Sequence, residues 1–223
     1  MSNTDSFIDE VTEEVRRDQL FQYLRRYGWI AVLVVLLLVG GTAWNEWRKA
    51  QSRAEAQARG DAMLAAIQQD APEARAEALL EIETEGAALA VNNLLAAADL
   101  QEAGDLQGAL DALGAVSADS DVPPVYRDLA ALKAAMIDGG AQDIDSRRAA
   151  LSGLAQPGAP FRMVALEQLA LLDVEQGNSQ AAIDQFGAIA VDAEATRGLR
   201  DRALQMIVAL GGEIGDLALP GGQ

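Results

Sequence analysis

The sequence is poor in the side chains that carry covalent chemistry, because it contains no histidine and no cysteine. Imidazole bases, thiolate nucleophiles and zinc sites built on sulfur are therefore excluded. The remaining charge is acidic, with 34 Asp and Glu against 17 Lys and Arg, for a formal net charge of −17. Since this charge repels phosphate backbones, we expect no nucleic-acid partner. We also expect no cofactor, no metal and no small-molecule substrate.

Three groups of residues are reminiscent of ligand sites, but their spacing is wrong. The aspartates of 138–145 flank a Gly-Gly pair without the ligand spacing or the terminal glutamate of a calcium loop, so a turn with an Asp or Ser N-cap is predicted. Glu81, Glu83 and Glu85 alternate and would not share a helix face, which predicts a solvated helix end. Residues 211–215 have no preceding strand and no following lysine, unlike a phosphate loop. A hydrolase built on carboxylates, serine and lysine remains conceivable, but no convincing cluster supports it, and we predict no enzyme.

The first element along the chain is an uncharged apolar run, which predicts a transmembrane helix over 27–47. As a helix this segment covers about 30 Å, the thickness of the hydrocarbon core of a bilayer. A cleaved signal peptide is disfavoured because residues 1–26 are long and acidic, and because bulky Trp44 stands where small residues would be needed. Cations and aromatic rings flank the run at both ends, and we predict as membrane-interface anchors Arg25, Arg26, Tyr27, Trp29, Trp44, Trp47, Arg48 and Lys49.

The orientation of this helix does not follow from its flanking charges. The positive-inside rule compares the cations on the two sides of a span. Equal numbers precede and follow it here, namely Arg16, Arg17, Arg25 and Arg26 before, and Arg48, Lys49, Arg53 and Arg59 after.

Beyond the span, the spacing of apolar residues predicts an all-α chain. A connecting helix over 48–69 continues from the span, and a turn at 70–73 with Pro at the first helical position starts a helix that should end by Gly86. Residues 70–212 form the predicted helical domain, and 213–223 a loosely held tail. The remaining predicted helices are about 87–103, 106–117, 124–137, 146–155, 161–176, 179–190 and 196–210.

Glycine-containing helix breaks recur with spacings of about 35, 38 and 34 residues, close to the period of tetratricopeptide repeats. They fall at Gly104, Gly139-Gly140, Gly177 and Gly211-Gly212. Two stretches, 94–113 and 166–186, also match in detail. Each has a small residue for close helix approach, a glycine for a left-handed helix end, an alanine, and a large apolar residue that fills the space between hairpins. These positions are Ala97 and Ala170, Gly104 and Gly177, Ala109 and Ala182, and Leu113 and Phe186. A plain helical bundle is the alternative.

In such an array the first helix of each hairpin lines the concave face. The repeat register therefore predicts a protein-binding groove containing Leu94, Gln101, Glu102, Tyr126, Lys133, Glu167 and Glu175.

The layout resembles that of the ancillary SecYEG translocon subunits, the YfgM-like membrane-anchored tetratricopeptide repeat proteins. The residues that carry the resemblance are 13–18 (EEVRRD), 24–29 (LRRYGW) and 44–48 (WNEWR), with the span, the Ala/Arg/Gln-rich helix and the repeats. The resemblance implies a cytoplasmic segment 1–26, a bacterial inner-membrane anchor and a periplasmic repeat domain. It also implies binding to the translocon and to a membrane-anchored periplasmic prolyl-isomerase chaperone. A scaffold for another envelope or cytoplasm-facing complex is the alternative.

Overall fold

A computed structural model describes residues 4–137 and 141–215, and over these residues the protein contains helices and no strand. The predicted all-α fold class is therefore confirmed for the described part of the chain. The helices are α1 (Thr4–Ile67), α2 (Pro72–Leu80), α3 (Gly86–Ala103), α4 (Leu106–Ala118), α5 (Pro124–Ala135), α6 (Ile144–Leu154), α7 (Arg162–Glu175), α8 (Ser179–Val191) and α9 (Arg197–Ala209).

Helix α1 is continuous over 64 residues and includes both the predicted span and nearly all of the predicted connecting helix. The chain divides into two compact units, Met1–Gly60 and Asp61–Gln223. The last turns of α1 belong to the second unit, where Met63 and Ala66 pack with residues of α2 and α3. The connecting helix thus contributes to the core of the helical domain.

From α2 to α9 each helix packs against the helices that precede and follow it in the chain, and α3 also contacts α5. Pro72 and Pro124 each stand in the first turn of a helix, α2 and α5, where a missing backbone N–H carries no penalty. Packing between sequence neighbours is compatible with an array of helical hairpins. Its assignment to the tetratricopeptide type stays a prediction.

Two core clusters contain the residues that the aligned stretches 94–113 and 166–186 predicted to be buried. Ala97, Ala109 and Leu113 lie in one cluster, and Ala170, Ala182 and Phe186 lie in the other. All six are at most 1% exposed. The small side chains allow the helices to approach closely, and Leu113 and Phe186 fill the remaining space.

Three helices end in the same left-handed glycine turn. Gly104, Gly177 and Gly211 have φ of +84°, +76° and +84°, values that a residue with a Cβ adopts only with strain. In each case the N–H of the next residue donates to the carbonyl five positions earlier, over 2.8 to 2.9 Å, as in a Schellman motif. The left-handed turns predicted at Gly104 and Gly177 are confirmed. The predicted break at Gly139-Gly140 lies outside the described residues.

The helix that begins at Pro72, and that was expected to end by Gly86, already ends at Leu80. In the following segment 81–85, Ile82 and Thr84 are half-buried while Glu81, Glu83 and Glu85 are exposed. This alternation has the period of an extended chain. Glu81 is the exposed C-cap of α2 and forms the predicted solvated helix end. Ile82 packs against the core, and Glu83 and Glu85 lie beyond the helix.

Candidate functional site

The first candidate site is the apolar part of α1. Within the described residues, Gly28–Ile67 includes a window with a mean hydropathy of 1.8, none of which is buried. The side chains from Leu33 to Val39 are 45% to 67% exposed. By length and composition this helix is suited to cross a membrane, since water would solvate such a surface poorly.

The predicted interface anchors flank this apolar surface. Trp29, Trp44 and Trp47 are 63%, 64% and 59% exposed, and the rings of Trp44 and Trp47 lie 5.1 Å apart at a tilt of 45°. Lys49 forms an ion pair with Glu46 over 3.3 Å. Arg25, Arg26 and Arg48 are also exposed, whereas the side chain of Tyr27 lies outside the described ones. Indole rings and cations at both ends of an apolar helix match the polarity profile of a bilayer.

The second candidate site is the predicted groove, and its three glutamates take part in ion pairs between helices. The Oε2 atom of Glu102 lies 2.8 Å from Nη2 of Arg75 on α2. Glu167, 9% exposed, accepts two bonds of 2.7 and 2.9 Å from Arg202 on α9. Glu175 accepts two bonds of 3.0 and 3.1 Å from Nη1 of Arg147 on α6. These carboxylates join neighbouring helices, so a ligand would meet groups that already have partners.

The other four predicted groove residues differ in exposure. Leu94 and Tyr126 are half-buried and pack against the first core cluster. Lys133 is half-buried on α5, and exposed Gln101 donates to the carbonyl of Ala97 one turn earlier. Within the described residues no hydrogen bond or ion pair joins any two of the seven. Gln101 therefore offers the cleanest position for probing a groove without disturbing the core.

Sequence reasoning missed a pair of equivalent arginine bridges. Arg75 on α2 donates to Asp99 and Glu102 on α3, over 2.7 and 2.8 Å. Arg148 on α6 donates to Asp173 on α7 and to Gln176, the C-cap of α7, in both cases over 2.8 Å. In each bridge the arginine reaches two acceptors one helical turn apart on the next helix. The hydrogen bond to Asp99 is the main cause of a raised pKa of Arg75.

A third bridge holds the loop between α8 and α9. Arg162 at the start of α7 donates to Asp192 over 2.9 Å and to Glu194 over 2.8 Å. The hydrogen bond from Arg162, with a smaller contribution from the backbone N–H of Glu194, lowers the pKa of the Asp192 carboxyl. Arg162 thus joins the loop between α8 and α9 to α7, the helix on which α8 packs.

The predicted turn around Asp143 is a helix cap. The Asp143 carboxylate accepts from the backbone N–H of Ser146 over 2.8 Å and from its hydroxyl over 2.6 Å. These two bonds lower the pKa of Asp143 and start α6 at Ile144. The prediction of a capping aspartate is confirmed for Asp143, and Asp138 lies outside the described residues.

A cavity of about 360 Å³ between α8 and α9 was not expected from the sequence. Its walls are aliphatic side chains and small residues, and two carboxylates stand among them. It is lined by Ile183, Asp184, Gly187, Ala188, Val191, Ile207 and Glu213. No local pattern indicates it, because its walls come from different helices.

These observations define an all-α protein with an exposed, apolar N-terminal helix followed by a domain of successively packed helices. No protein-family model, no curated protein and no solved structure matches this chain. What the protein does is therefore inferred from its own residues and contacts.

Proposed function

We propose that this chain is a single-pass membrane protein whose acidic helical domain binds other proteins. The observation that carries the proposal is the apolar surface of α1, whose side chains from Leu33 to Val39 are 45% to 67% exposed. Burial in lipid would remove this surface from water, and the flanking indoles and cations would lie at the two interfaces.

The mechanism would be tethering. An anchor confines the helical domain to the membrane, which raises its effective concentration for partners in or near the bilayer. The net charge of −17 would attract basic segments and speed their encounter with the domain. No bond is made or broken in this mechanism.

The more specific proposal is an ancillary subunit of the SecYEG translocon that links it to periplasmic chaperones. It is supported by the resemblance carried by segments 13–18, 24–29 and 44–48. In this proposal residues 1–26 are cytoplasmic and the helical domain is periplasmic, in a bacterial inner membrane. The partners are the translocon and a membrane-anchored chaperone.

Topology is the first test. Intact spheroplasts expressing the chain with a C-terminal epitope tag are treated with protease, and a periplasmic domain should lose its tag without lysis. Protection of the tag until lysis would contradict the translocon proposal and favour the alternative, a scaffold for a cytoplasm-facing complex. Loss of the protein from the membrane fraction would contradict the anchor itself.

Partner capture tests the groove. A photo-crosslinking side chain at exposed Gln101 on α3 should capture the translocon or a chaperone, whereas the same side chain at exposed Gln107 on α4 should capture much less. Because Tyr126 packs against the core, its replacement by alanine would lower stability as well as binding. Lys133→Ala is the better companion variant. Equal capture from both positions would remove the groove from the proposal.

A further inference from the structure

The cavity between α8 and α9 is lined by aliphatic side chains, small residues and two carboxylates. Ile207 is 1% exposed and Val191 38% exposed, so the wall runs from the core to the surface. A Cβ placed on Gly212 would lie 2.8 Å from Cγ2 of Ile207 and 3.2 Å from Cγ2 of Ile183. The two isoleucine side chains therefore pack directly against the backbone of Gly212.

The two carboxylates of the cavity have no cation of their own. Asp184 accepts a hydrogen bond from Gln180 over 3.0 Å, and both Asp184 and Glu213 are exposed. Within the described part of the chain neither forms an ion pair, whereas Arg162 on α7 and Arg202 on α9 are bound to other acids. Uncompensated negative charge beside an aliphatic cavity is complementary to a ligand that is both apolar and basic.

Helix α4 provides an internal comparison. Gln107 donates to Asp111 over 2.9 Å, as Gln180 does to Asp184, and each aspartate stands two residues after a buried alanine. Where α8 has Val191, the matched position of α4 is the smaller Ala118. Leu110, Gly114 and Ala115 of α4 match Ile183, Gly187 and Ala188 of α8. Helix α4 thus repeats the carboxylate and much of the wall, and differs in the smaller side chain at the last position.

We propose that this cavity binds a basic amphipathic helix of a partner protein. The wall formed by α8 from Ile183 to Val191 covers about two helical turns, roughly 12 Å. Apolar side chains at i, i+3 or i+4, and i+7 of a partner helix fit that length. Lysine or arginine next to them meets Asp184 and Glu213. This proposal does not rest on membrane anchorage or on the predicted groove.

The probe is a synthetic amphipathic peptide with leucines at helical spacing flanked by lysines, labelled for fluorescence anisotropy. It is titrated with the full chain in an uncharged detergent, and empty micelles give the blank. We expect saturable binding that is lost when the lysines are replaced by glutamate or the leucines by serine. Failure of the basic peptide to bind, or equal binding of the three peptides, would overturn the proposal.

Two matched pairs of variants locate the binding. Asp184→Lys should weaken binding about tenfold or more, while Asp111→Lys on α4 should leave it within about twofold. Ala188→Trp fills the cavity from an exposed position and should also abolish binding, unlike Ala115→Trp at the matched position of α4. Equal effects of the α4 and α8 variants would mean unspecific charge attraction and would overturn the proposal. Circular dichroism checks that each variant remains helical.

Discussion

Replacing Phe186 by alanine would open a hole in the core shared by α7, α8 and α9. Phe186 is 1% exposed and is the largest fully buried side chain of the described residues. The cluster around it includes Ala170, Ala182 and Ala190, all of them 0% exposed. These alanines cannot extend into the space that the ring leaves, so the hole can be refilled only in part, by larger members of the cluster such as Ile189, Leu199 and Ile207.

The expected loss in the free energy of unfolding is about 4 kcal/mol, within the range for Phe to Ala at sites that collapse only in part. Val208→Ala is the control on α9, since Val208 is 57% exposed and its truncation should cost less than about 0.5 kcal/mol. Phe186→Leu, which introduces the residue found at the matched position 113, should cost about 1 kcal/mol.

Hydrogen exchange followed by mass spectrometry shows where this loss appears. Each helix of the domain packs mainly on its sequence neighbours, so stability in such an array is largely a sum of local contributions. Amides of α7 to α9 should lose protection in Phe186→Ala, and those of α3 and α4 should keep it. An equal loss in α3 and α4, or a total loss no larger than that of Val208→Ala, would refute the reasoning.

Three further outcomes follow from helix ends and ion pairs. Gly177→Ala should lower the free energy of unfolding by about 1 to 2 kcal/mol, because φ is +76° at this position. Gly114→Ala should raise it by about 0.5 to 1 kcal/mol, because Gly114 lies within a helix and has open space around it. Melting temperatures that change in the opposite directions would contradict both expectations. Glu175→Ala should lower the free energy of unfolding by about 1 to 2 kcal/mol, because Arg147, whose side chain is 10% exposed, loses its counter-charge. An unchanged midpoint of urea unfolding would contradict this expectation. The pKa of Asp143 is lowered in the folded protein. Its carboxylate therefore stabilises α6 at pH values above the ordinary Asp pKa, and this stabilisation is lost as the pH falls through the lowered pKa. The protection factors of the α6 amides, which are corrected for the intrinsic pH dependence of exchange, should therefore fall in acid. Asp143→Asn, which caps without titrating, should remove that fall, and its persistence would assign the pH dependence to another group.

Local signals in the sequence were sufficient for most of the helices and for several of their ends. The run without charge over 27–45 lies in one long helix, and the prolines at 72 and 124 begin helices as predicted. The glycines at 104 and 177 end helices in the left-handed conformation. These features are set by the preferences of a few adjacent residues, which is why the pattern alone was enough to predict them.

The segment 81–85 shows how tertiary structure overrode a local expectation. Glu83 and Glu85 were predicted to lie on a helix end with Glu81, yet α2 ends before them, and Ile82 contacts the core. The pattern itself has the period of an extended segment, but a stretch of five residues between helices is too short for periodicity to decide.

The partners of the charged residues were decided only by the tertiary structure. The bridges of Arg75, Arg148 and Arg202 join residues 24 to 35 positions apart, and the cavity between α8 and α9 also has walls from separate helices. The sequence determined which residues are charged and which helices carry them. Which carboxylate each arginine reaches depends on how neighbouring helices are rotated against each other, and packing of the buried alanines, Leu113 and Phe186 fixes that rotation.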